Sequence, residues 1–293
     1  MTPTVAVVGA GRMGAAMARR FAAAGYGLTV WNRDRAKAEA VAGETGARIA
    51  DTPADAAANN DFVVSSMADD EALRAVYLGP DGVVEGSSEG LVAADTSTVA
   101  PETVTEVGAS MDRTGADFLD CPVSGSVTTV EAGGLTVMAG GEPEAIDRIE
   151  PVLGAIAKRV IRVGSRGAGA VCKLAVNGLV HGINVSLAEA LVLAEKAGVD
   201  RSLAYEVFVS GVGGAPYVQY KRDAFENPDE AAVAFTLQLV EKDLELITGL
   251  ASRVGAPMAQ AETGLDIVSK ANAAGMGQRD MSAVAVFLRD GGG

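Results

Sequence analysis

Residues 5–21 read VAVVGAGRMGAAMARRF, an apolar run followed by a segment with three glycines and then by apolar residues that include one pair of arginines. The glycines stand at 9, 11 and 14, in the spacing G-x-G-x-x-G. In this pattern Gly9 permits a tight turn, Gly11 lets the backbone approach a bound group, and Gly14 lets a helix pack close to a strand. The stretch therefore predicts a strand, a glycine turn and an amphipathic helix.

We interpret this turn as the phosphate-binding part of a dinucleotide fold rather than as a purely structural glycine turn. The helix that begins there offers unpaired N–H groups and the positive end of its dipole to phosphates. A second strand, Leu28–Trp31, follows at the distance that such a fold requires. The predicted cofactor is a nicotinamide dinucleotide, and the residues of the turn predicted to bind it are Gly9, Gly11, Arg12, Met13 and Gly14.

The end of the second strand distinguishes NAD from NADP. An acidic residue there binds the ribose 2′-hydroxyl of NAD, but this chain reads NRDR at 32–35. Asn32 takes the usual acidic position, and the planar guanidinium of Arg33 matches a 2′-phosphate. The sequence favours NADP(H) over NAD(H). The alternative is that Arg33 and Arg35 are solvated surface charges and that Asp34 caps the next helix.

Composition indicates a folded chain whose anionic ligands need local positive charge. The 293 residues are 48% hydrophobic and 21% charged, and the formal net charge is −14. This charge repels nucleic acids and anionic membranes. The sequence shows no metal-ligand spacing and no run of about 18 uncharged apolar residues. We expect no metal, nucleic-acid or membrane partner. Because the start MTPTVAVVGAG lacks signal-peptide features, we also expect a cytoplasmic location.

Strand and helix patterns alternate through the first half of the chain, and helical patterns fill the second half. Short apolar or β-branched runs lie at 4–8, 28–31, 62–66, 91–94, 117–119, 135–138 and 159–163. They predict an α/β, doubly wound and mainly parallel sheet, with a mixed part where the later strands crowd together. Residues 170–197 contain no proline and predict one helix of about 28 residues. We predict a Rossmann-type NAD(P)-binding domain over 1–165 and an all-α substrate and dimerisation domain over 166–293, joined by this long interdomain helix.

Four further segments carry a family resemblance: DTSTVAPET at 95–103, DCPVSGS at 120–126, GAGAVCKLAVNGL at 167–179 and FTLQLVEKDLEL at 235–246. In this order and spacing they resemble the β-hydroxyacid dehydrogenase family, which includes 3-hydroxyisobutyrate dehydrogenase. The glycine motif of that family, G-x-G-x-M-G, is also matched. The resemblance covers nearly the whole chain. It implies hydride transfer between NAD(P)(H) and a small β-hydroxyacid or the corresponding carbonyl acid.

The resemblance also implies roles for single residues. Lys173 matches the catalytic lysine of the interdomain helix. The predicted substrate-binding residues are Ser124, Gly125, Ser126 and Asn177. Further predicted cofactor contacts are Met67, Ser97, Thr98 and Lys242, the last being half of a K-D pair with Asp243. The residues agree with part of this, because Lys173 and Asn177 project from one helix face. Apolar neighbours partly desolvate the Lys173 ammonium, which suits proton transfer to and from a carbonyl oxygen. The backbone N–H groups of Ser124–Ser126, here called the serine turn, suit a carboxylate.

Departures from the family pattern leave the substrate open. Val176 stands where the family commonly has the first asparagine of its helix motif, and Ser126 replaces a glycine. Glyoxylate, succinic semialdehyde, tartronate semialdehyde, 3-hydroxyisobutyrate and β-hydroxy amino acids all remain candidates.

Other functions are less well supported by the residues. Imine reductases share the architecture but usually have Asp or Tyr in place of Lys173. A hydrolase would need a base for Ser124, and the single histidine, His181, lies on the helix of Lys173. P-V-S-G-S also lacks the G-x-S-x-G elbow. A catalytically idle dinucleotide-binding protein is a further alternative. Apolar surface in the helical half, together with the resemblance, predicts a homodimer or homotetramer.

Overall fold

The computed structural model describes residues 3–292. Residues 1, 2 and 293, at the outer ends of the two predicted domains, lie outside the described part. The chain forms two compact units that divide between Lys173 and Leu174. This division falls inside a helix, whereas the boundary expected from the sequence lies at 165/166. That boundary stays a prediction.

The first unit is built on one sheet. Its strands are β1 Thr4–Val8, β2 Gly27–Trp31, β3 Arg48–Ile49, β4 Phe62–Ser65, β5 Val92–Asp95, β6 Asp117–Asp120, β7 Val123–Ser124, β8 Leu135–Gly140 and β9 Ala157–Gly164. Their order is β3-β2-β1-β4-β5-β6-β8-β7, with β9 paired to β8. Strands β1 to β6 are parallel, and β8 runs antiparallel to β6 and β7. The predicted parallel sheet with a mixed part is confirmed.

Helices cover both faces of this sheet. They are α1 Arg12–Ala23, α2 Arg35–Thr45, α3 Pro53–Ala58, α4 Asp70–Leu78, α5 Val83–Gly86, α6 Pro101–Asp112, α7 Val127–Glu131 and α8 Pro143–Leu153. Alternate residues of β1 enter different cores. Val5 and Val7 belong to the core that contains Phe21 of α1, whereas Ala6 and Val8 belong to the core that contains Tyr77 of α4. Because both faces are buried, β1 is apolar without alternation.

The second unit is all-helical in its described residues. Helix α9, Ala168–Lys196, begins in the first unit and is 29 residues long. The others are α10 Arg201–Ser210, α11 Pro216–Tyr220, α12 Arg222–Glu226, α13 Leu237–Val254, α14 Ala259–Ala271 and α15 Val284–Arg289, with a π-helical segment at Asn272–Met276 and a 3₁₀ turn at Met281–Ala283. The predicted all-α architecture with one long helix is confirmed.

Helix α9 is apolar enough to resemble a membrane span by length and composition alone. Its mean hydropathy reaches 1.4, and 44% of that window is buried within the protein. The helix also carries His181 and Asn184 at 3% and 0% exposure. Asn184 hydrogen-bonds to the carbonyl of Met281 and to the hydroxyl of Tyr217. Buried polar groups that are satisfied by their own unit are typical of a core helix.

Candidate active site

The three glycines of the turn meet different surroundings. Gly9 has φ of +98°, and a Cβ there would lie 2.4 Å from the carbonyl oxygen of Ser66. A Cβ on Gly14 would lie 1.9 Å from the carbonyl oxygen of Gly9, whereas a Cβ on Gly11 would meet no atom within 4 Å. Gly9 and Gly14 are therefore required by the fold itself. Gly11 borders open space, as expected where a pyrophosphate approaches the backbone.

The N-terminus of α1 is suited to an anion. Gly11 is its N-cap and supplies no capping side chain, and no acidic residue stands in the first turn. The first N–H groups of α1 therefore point outward with the positive end of the helix dipole. Arg12, the first residue of the helix, is exposed beside them. These features fit the pyrophosphate of a dinucleotide.

Asn32 ties the glycine turn to the end of β2. Its side-chain oxygen Oδ1 accepts a hydrogen bond of 2.9 Å from the N–H of Ala10, and its Nδ2 donates to the carbonyl of Asp34. Asp34 in turn caps α2 through the N–H of Ala36. Asn32 was predicted to bind the cofactor. Its amide instead has two partners in the protein, and a contact to the cofactor stays a prediction.

The two arginines after β2 differ in their partners. Arg35 forms ion pairs of 3.1 Å with Glu39 and 3.0 Å with Asp51. Arg33 is exposed, and within residues 3–292 its guanidinium makes no ion pair. Of the two, Arg33 is the one whose charge is available to a ligand.

On the other side of the glycine turn, the structure brings together two predicted cofactor contacts. The N–H of Met67, just after β4, donates to the hydroxyl of Ser97, just after β5, at 2.7 Å. Ser97 donates in turn to Asp95, which sequence reasoning did not single out. Burial raises the pKa of Asp95 to about 6, against hydrogen bonds from Ser97 and Ser65 that lower it. The available signal was an acidic residue at the end of a buried strand, at the start of DTST.

A second buried carboxylate holds the start of α9. Asp120, at the end of β6, accepts hydrogen bonds of 2.9 Å from Gly167 and 2.8 Å from Ala170. Burial raises the pKa of Asp120 to about 6, although these backbone hydrogen bonds lower it. A carboxylate at a helix N-terminus is favoured by the helix dipole. Asp120 therefore orients the helical turn that leads to Lys173, which is half-buried.

The serine turn has fewer groups available to bind a carboxylate than the sequence predicts. Ser126 is the N-cap of α7 and forms a capping box with Thr129, so its N–H already donates to the hydroxyl of Thr129. Gly125 has φ of +140° and is exposed, and its N–H has no acceptor among the described residues. This leaves the side chain of Ser124 and the N–H of Gly125 for a substrate carboxylate.

In the second unit, Asp243 on α13 gathers three polar side chains. Its Oδ2 accepts from Nδ2 of Asn177 at 2.6 Å and lies 3.4 Å from Nε2 of His181, while Nζ of Lys242 is 3.0 Å from its Oδ1. Asp243 has no exposed surface. Burial acts to raise the pKa of Asp243, but the hydrogen bond with His181 and the charge of Lys242 outweigh burial and lower it. The predicted residues Asn177 and Lys242 thus share one buried carboxylate, and Asn177 is itself only 7% exposed.

Among residues 3–292, no three His, Cys, Asp or Glu side chains are grouped so that they could hold a metal ion.

Comparison with known proteins covers both units. Residues 4–164 match the family described as the NAD binding domain of 6-phosphogluconate dehydrogenase. Residues 167–288 match the family described as NAD-binding of NADP-dependent 3-hydroxyisobutyrate dehydrogenase.

Single relatives match over nearly the full length. The 2-(hydroxymethyl)glutarate dehydrogenase of Eubacterium barkeri is 32% identical over 281 residues, which are 96% of this chain and 93% of that protein. Glyoxylate/succinic semialdehyde reductase 2 of Arabidopsis thaliana is 31% identical over 288 residues, which are 98% of this chain and 80% of that protein. The solved structure of Mycobacterium tuberculosis 3-hydroxyisobutyrate dehydrogenase with L-serine has a TM-score of 0.87 at 29% identity, covering 99% of this chain and 100% of that one.

The fold, the dinucleotide-binding turn and these matches define an NAD(P)-dependent oxidoreductase that acts on hydroxyl groups. Within that class, the chain belongs to the β-hydroxyacid dehydrogenase family, of the 3-hydroxyisobutyrate dehydrogenase-like type. The family predicted from the motifs is confirmed.

Proposed function

We propose that the protein interconverts a small β-hydroxyacid and the corresponding carbonyl acid, with NADP(H) as hydride carrier and Lys173 as general acid and base. The observation that carries the proposal is the arrangement of α9. Half-buried Lys173 lies one turn before Asn177, whose amide is held by the buried Asp243. The available guanidinium of Arg33, beside an uncharged residue at 32, supports NADP.

The chemistry divides between the cofactor and the chain. The nicotinamide, when bound, supplies a hydride to the carbonyl carbon or accepts it from the hydroxyl carbon. In reduction, the ammonium of Lys173 donates a proton to the carbonyl oxygen, so that a hydroxyl forms and the lysine becomes neutral. In oxidation, neutral Lys173 takes that proton back. The Ser124 hydroxyl and the Gly125 N–H orient the substrate through its carboxylate.

A substrate panel in both directions tests this proposal. We expect carbonyl acids such as glyoxylate, succinic semialdehyde and tartronate semialdehyde to consume NADPH, and we expect 3-hydroxyisobutyrate or a β-hydroxy amino acid to reduce NADP⁺. Turnover of cyclic imines alone would instead indicate an imine reductase. Tight NADPH binding without turnover of any of these compounds would indicate an idle dinucleotide-binding protein.

Arg33→Ser is expected to lower kcat/KM for NADPH by about tenfold or more, because a charge-assisted hydrogen bond to the 2′-phosphate is lost. The same ratio for NADH is expected to stay unchanged, since NADH lacks that phosphate. Arg35→Ser is the matched control, because Glu39 and Asp51 already hold its guanidinium. A wild-type preference for NADH of about tenfold would contradict the NADP assignment.

We further propose that the protein is a homodimer or homotetramer. Three apolar side chains of the second unit, Leu179, Leu193 and Val207, are 68%, 73% and 67% exposed. Leu179 and Val207 line an apolar groove of about 500 Å³ between α9 and α10. A contiguous exposed apolar surface is typical of an interface.

Light scattering at micromolar concentration is expected to give a dimer or tetramer for the wild type and a smaller species for Val207→Glu. Val254→Glu is the control, because Val254 is 68% exposed but does not line the groove. A monomeric wild type rejects this assembly.

A further inference from the structure

Four buried polar side chains link the ends of β4 and β5. Ser65, Tyr77, Asp95 and Ser97 are 0%, 0%, 1% and 5% exposed. The hydroxyls of Ser65 and Ser97 both donate to Oδ1 of Asp95, each at 2.7 Å. A single carboxylate oxygen therefore joins two strand ends that are 30 residues apart in sequence.

The hydrogen bonds of this network have a defined direction. A hydroxyl has one proton to donate, and Ser65 and Ser97 both give theirs to Asp95. The Tyr77 hydroxyl, 2.9 Å from Ser65 Oγ, must then be the donor of that pair. Ser97 Oγ has its remaining capacity as an acceptor and takes the N–H of Met67. The chain of donors runs from Met67 through Ser97 to Asp95, so Asp95 sets the orientation of the group that holds Met67.

The segment held in this way packs on the glycine turn. A Cβ added to Gly9 would lie 2.4 Å from the Ser66 carbonyl oxygen and 2.7 Å from the Met67 methyl group. In the sheet, β4 lies beside β1 on the side opposite β2. A dinucleotide in such a fold crosses the point where the strand order reverses, with its adenosine ribose at the end of β2. Its other half then lies over the ends of β4 and β5.

We propose that Asp95 is a positioning residue that, through Ser97, fixes Met67 as the wall of the nicotinamide half of the cofactor site. The inference rests on the proposed function, because it assumes that a dinucleotide occupies the turn. Asp95 is too deeply buried to contact the cofactor and acts through Ser97. Its effect should therefore be confined to the nicotinamide half, and the adenosine half beside Arg33 should not depend on it.

Calorimetric titration with two ligands separates the two halves. NADPH carries both, whereas 2′,5′-ADP carries only the adenosine end. We expect Ser97→Ala and Asp95→Ala to raise the Kd for NADPH by about tenfold, which corresponds to one lost buried hydrogen bond. The Kd for 2′,5′-ADP should stay within about twofold of the wild type. Asp95→Asn keeps an acceptor oxygen and should recover most of the NADPH affinity.

Thr96→Val is the matched control. The Thr96 hydroxyl is buried in the same loop and donates to the Ser65 carbonyl at 2.7 Å, but it forms no hydrogen bond with Asp95 or Met67. Its loss should leave both Kd values unchanged. Equal weakening of both ligands in either alanine variant, or unchanged NADPH binding in Asp95→Ala, overturns the positioning role. Should Asp95→Ala fail to fold, Asp95→Leu, which also removes the acceptor oxygens but keeps the side-chain volume, decides in its place.

The same titrations distinguish a failure of the proposed function from a failure of this inference. A wild-type protein that binds no dinucleotide contradicts the cofactor site and, with it, the inference. A wild-type protein that binds only NADH contradicts the NADP assignment alone, and the same comparison then uses NADH against ADP.

Discussion

Lys173→Ala is expected to lower kcat for carbonyl reduction by about a thousandfold, within the range that general acid catalysis contributes. The proton that the carbonyl oxygen needs would then have to come from water, which is neither positioned nor acidic enough. The Kd for NADPH should stay near the wild-type value, because the glycine turn and Arg33 do not depend on this side chain. Steady-state kinetics and calorimetric titration on the same preparations measure the two effects.

Two further variants separate proton transfer from charge and from helix stability. Lys173→Arg keeps a positive charge, but a guanidinium does not release its proton at ordinary pH, so kcat should remain low. Lys196→Ala removes a lysine from the last turn of the same helix, where it is exposed, and should leave kcat unchanged. If Lys173→Ala kept more than about a tenth of the wild-type kcat, general acid catalysis by this lysine would be wrong.

Gly11→Ala and Gly14→Ala are expected to have different effects. Gly11→Ala should weaken NADPH binding without lowering stability, whereas Gly14→Ala should lower the stability of the fold itself. Gly11 has φ of −69° and ψ of −171°, which any residue adopts, and a Cβ there meets no protein atom within 4 Å. Gly11→Ala should therefore keep or slightly raise the free energy of unfolding. The new methyl group occupies the space through which the pyrophosphate approaches the backbone. We expect the Kd for NADPH to rise by about a hundredfold.

Gly14→Ala places a Cβ 1.9 Å from the carbonyl oxygen of Gly9. Neither atom belongs to a flexible side chain, so α1 must move away from β1. We expect the free energy of unfolding to fall by about 2–3 kcal/mol, as in overpacked cores, together with weaker NADPH binding. Urea unfolding of both variants, with calorimetry on the folded fractions, measures the contrast. A stable Gly11→Ala protein that binds NADPH normally would show that the dinucleotide does not use this turn.

Much of the fold could be predicted because its signals are local. Strand β1 is apolar on both faces, and α9 lacks proline over its whole length. The predicted helix of about 28 residues is therefore close to the observed 29. The sequence did not predict strands β3 and β7, because each has only two residues, too few to show an alternating pattern. They exist only because neighbouring strands offer hydrogen-bond partners.

The candidate site likewise combines features that a short stretch of sequence predicts with contacts that it does not predict. The glycine spacing and the absence of an acidic residue at 32 are visible in a few consecutive residues. The partners of Asp95 and Asp243 are not, because Ser65 and Asn177 lie 30 and 66 residues away from them in the chain. No short motif encodes which of these side chains meet.

By itself, the sequence determined that residues 4–34 form a strand, a glycine turn, a helix and a second strand, and that the long helix carries Lys173. These features depend on backbone conformation and on periods of a few residues. Tertiary structure decided which polar groups are already used. Asn32 and the N–H of Ser126 have protein partners, whereas Arg33 and Gly125 are exposed. Each donor or acceptor group forms only a limited number of hydrogen bonds. Whether it is available to a ligand therefore depends on its neighbours in space rather than on its neighbours in sequence.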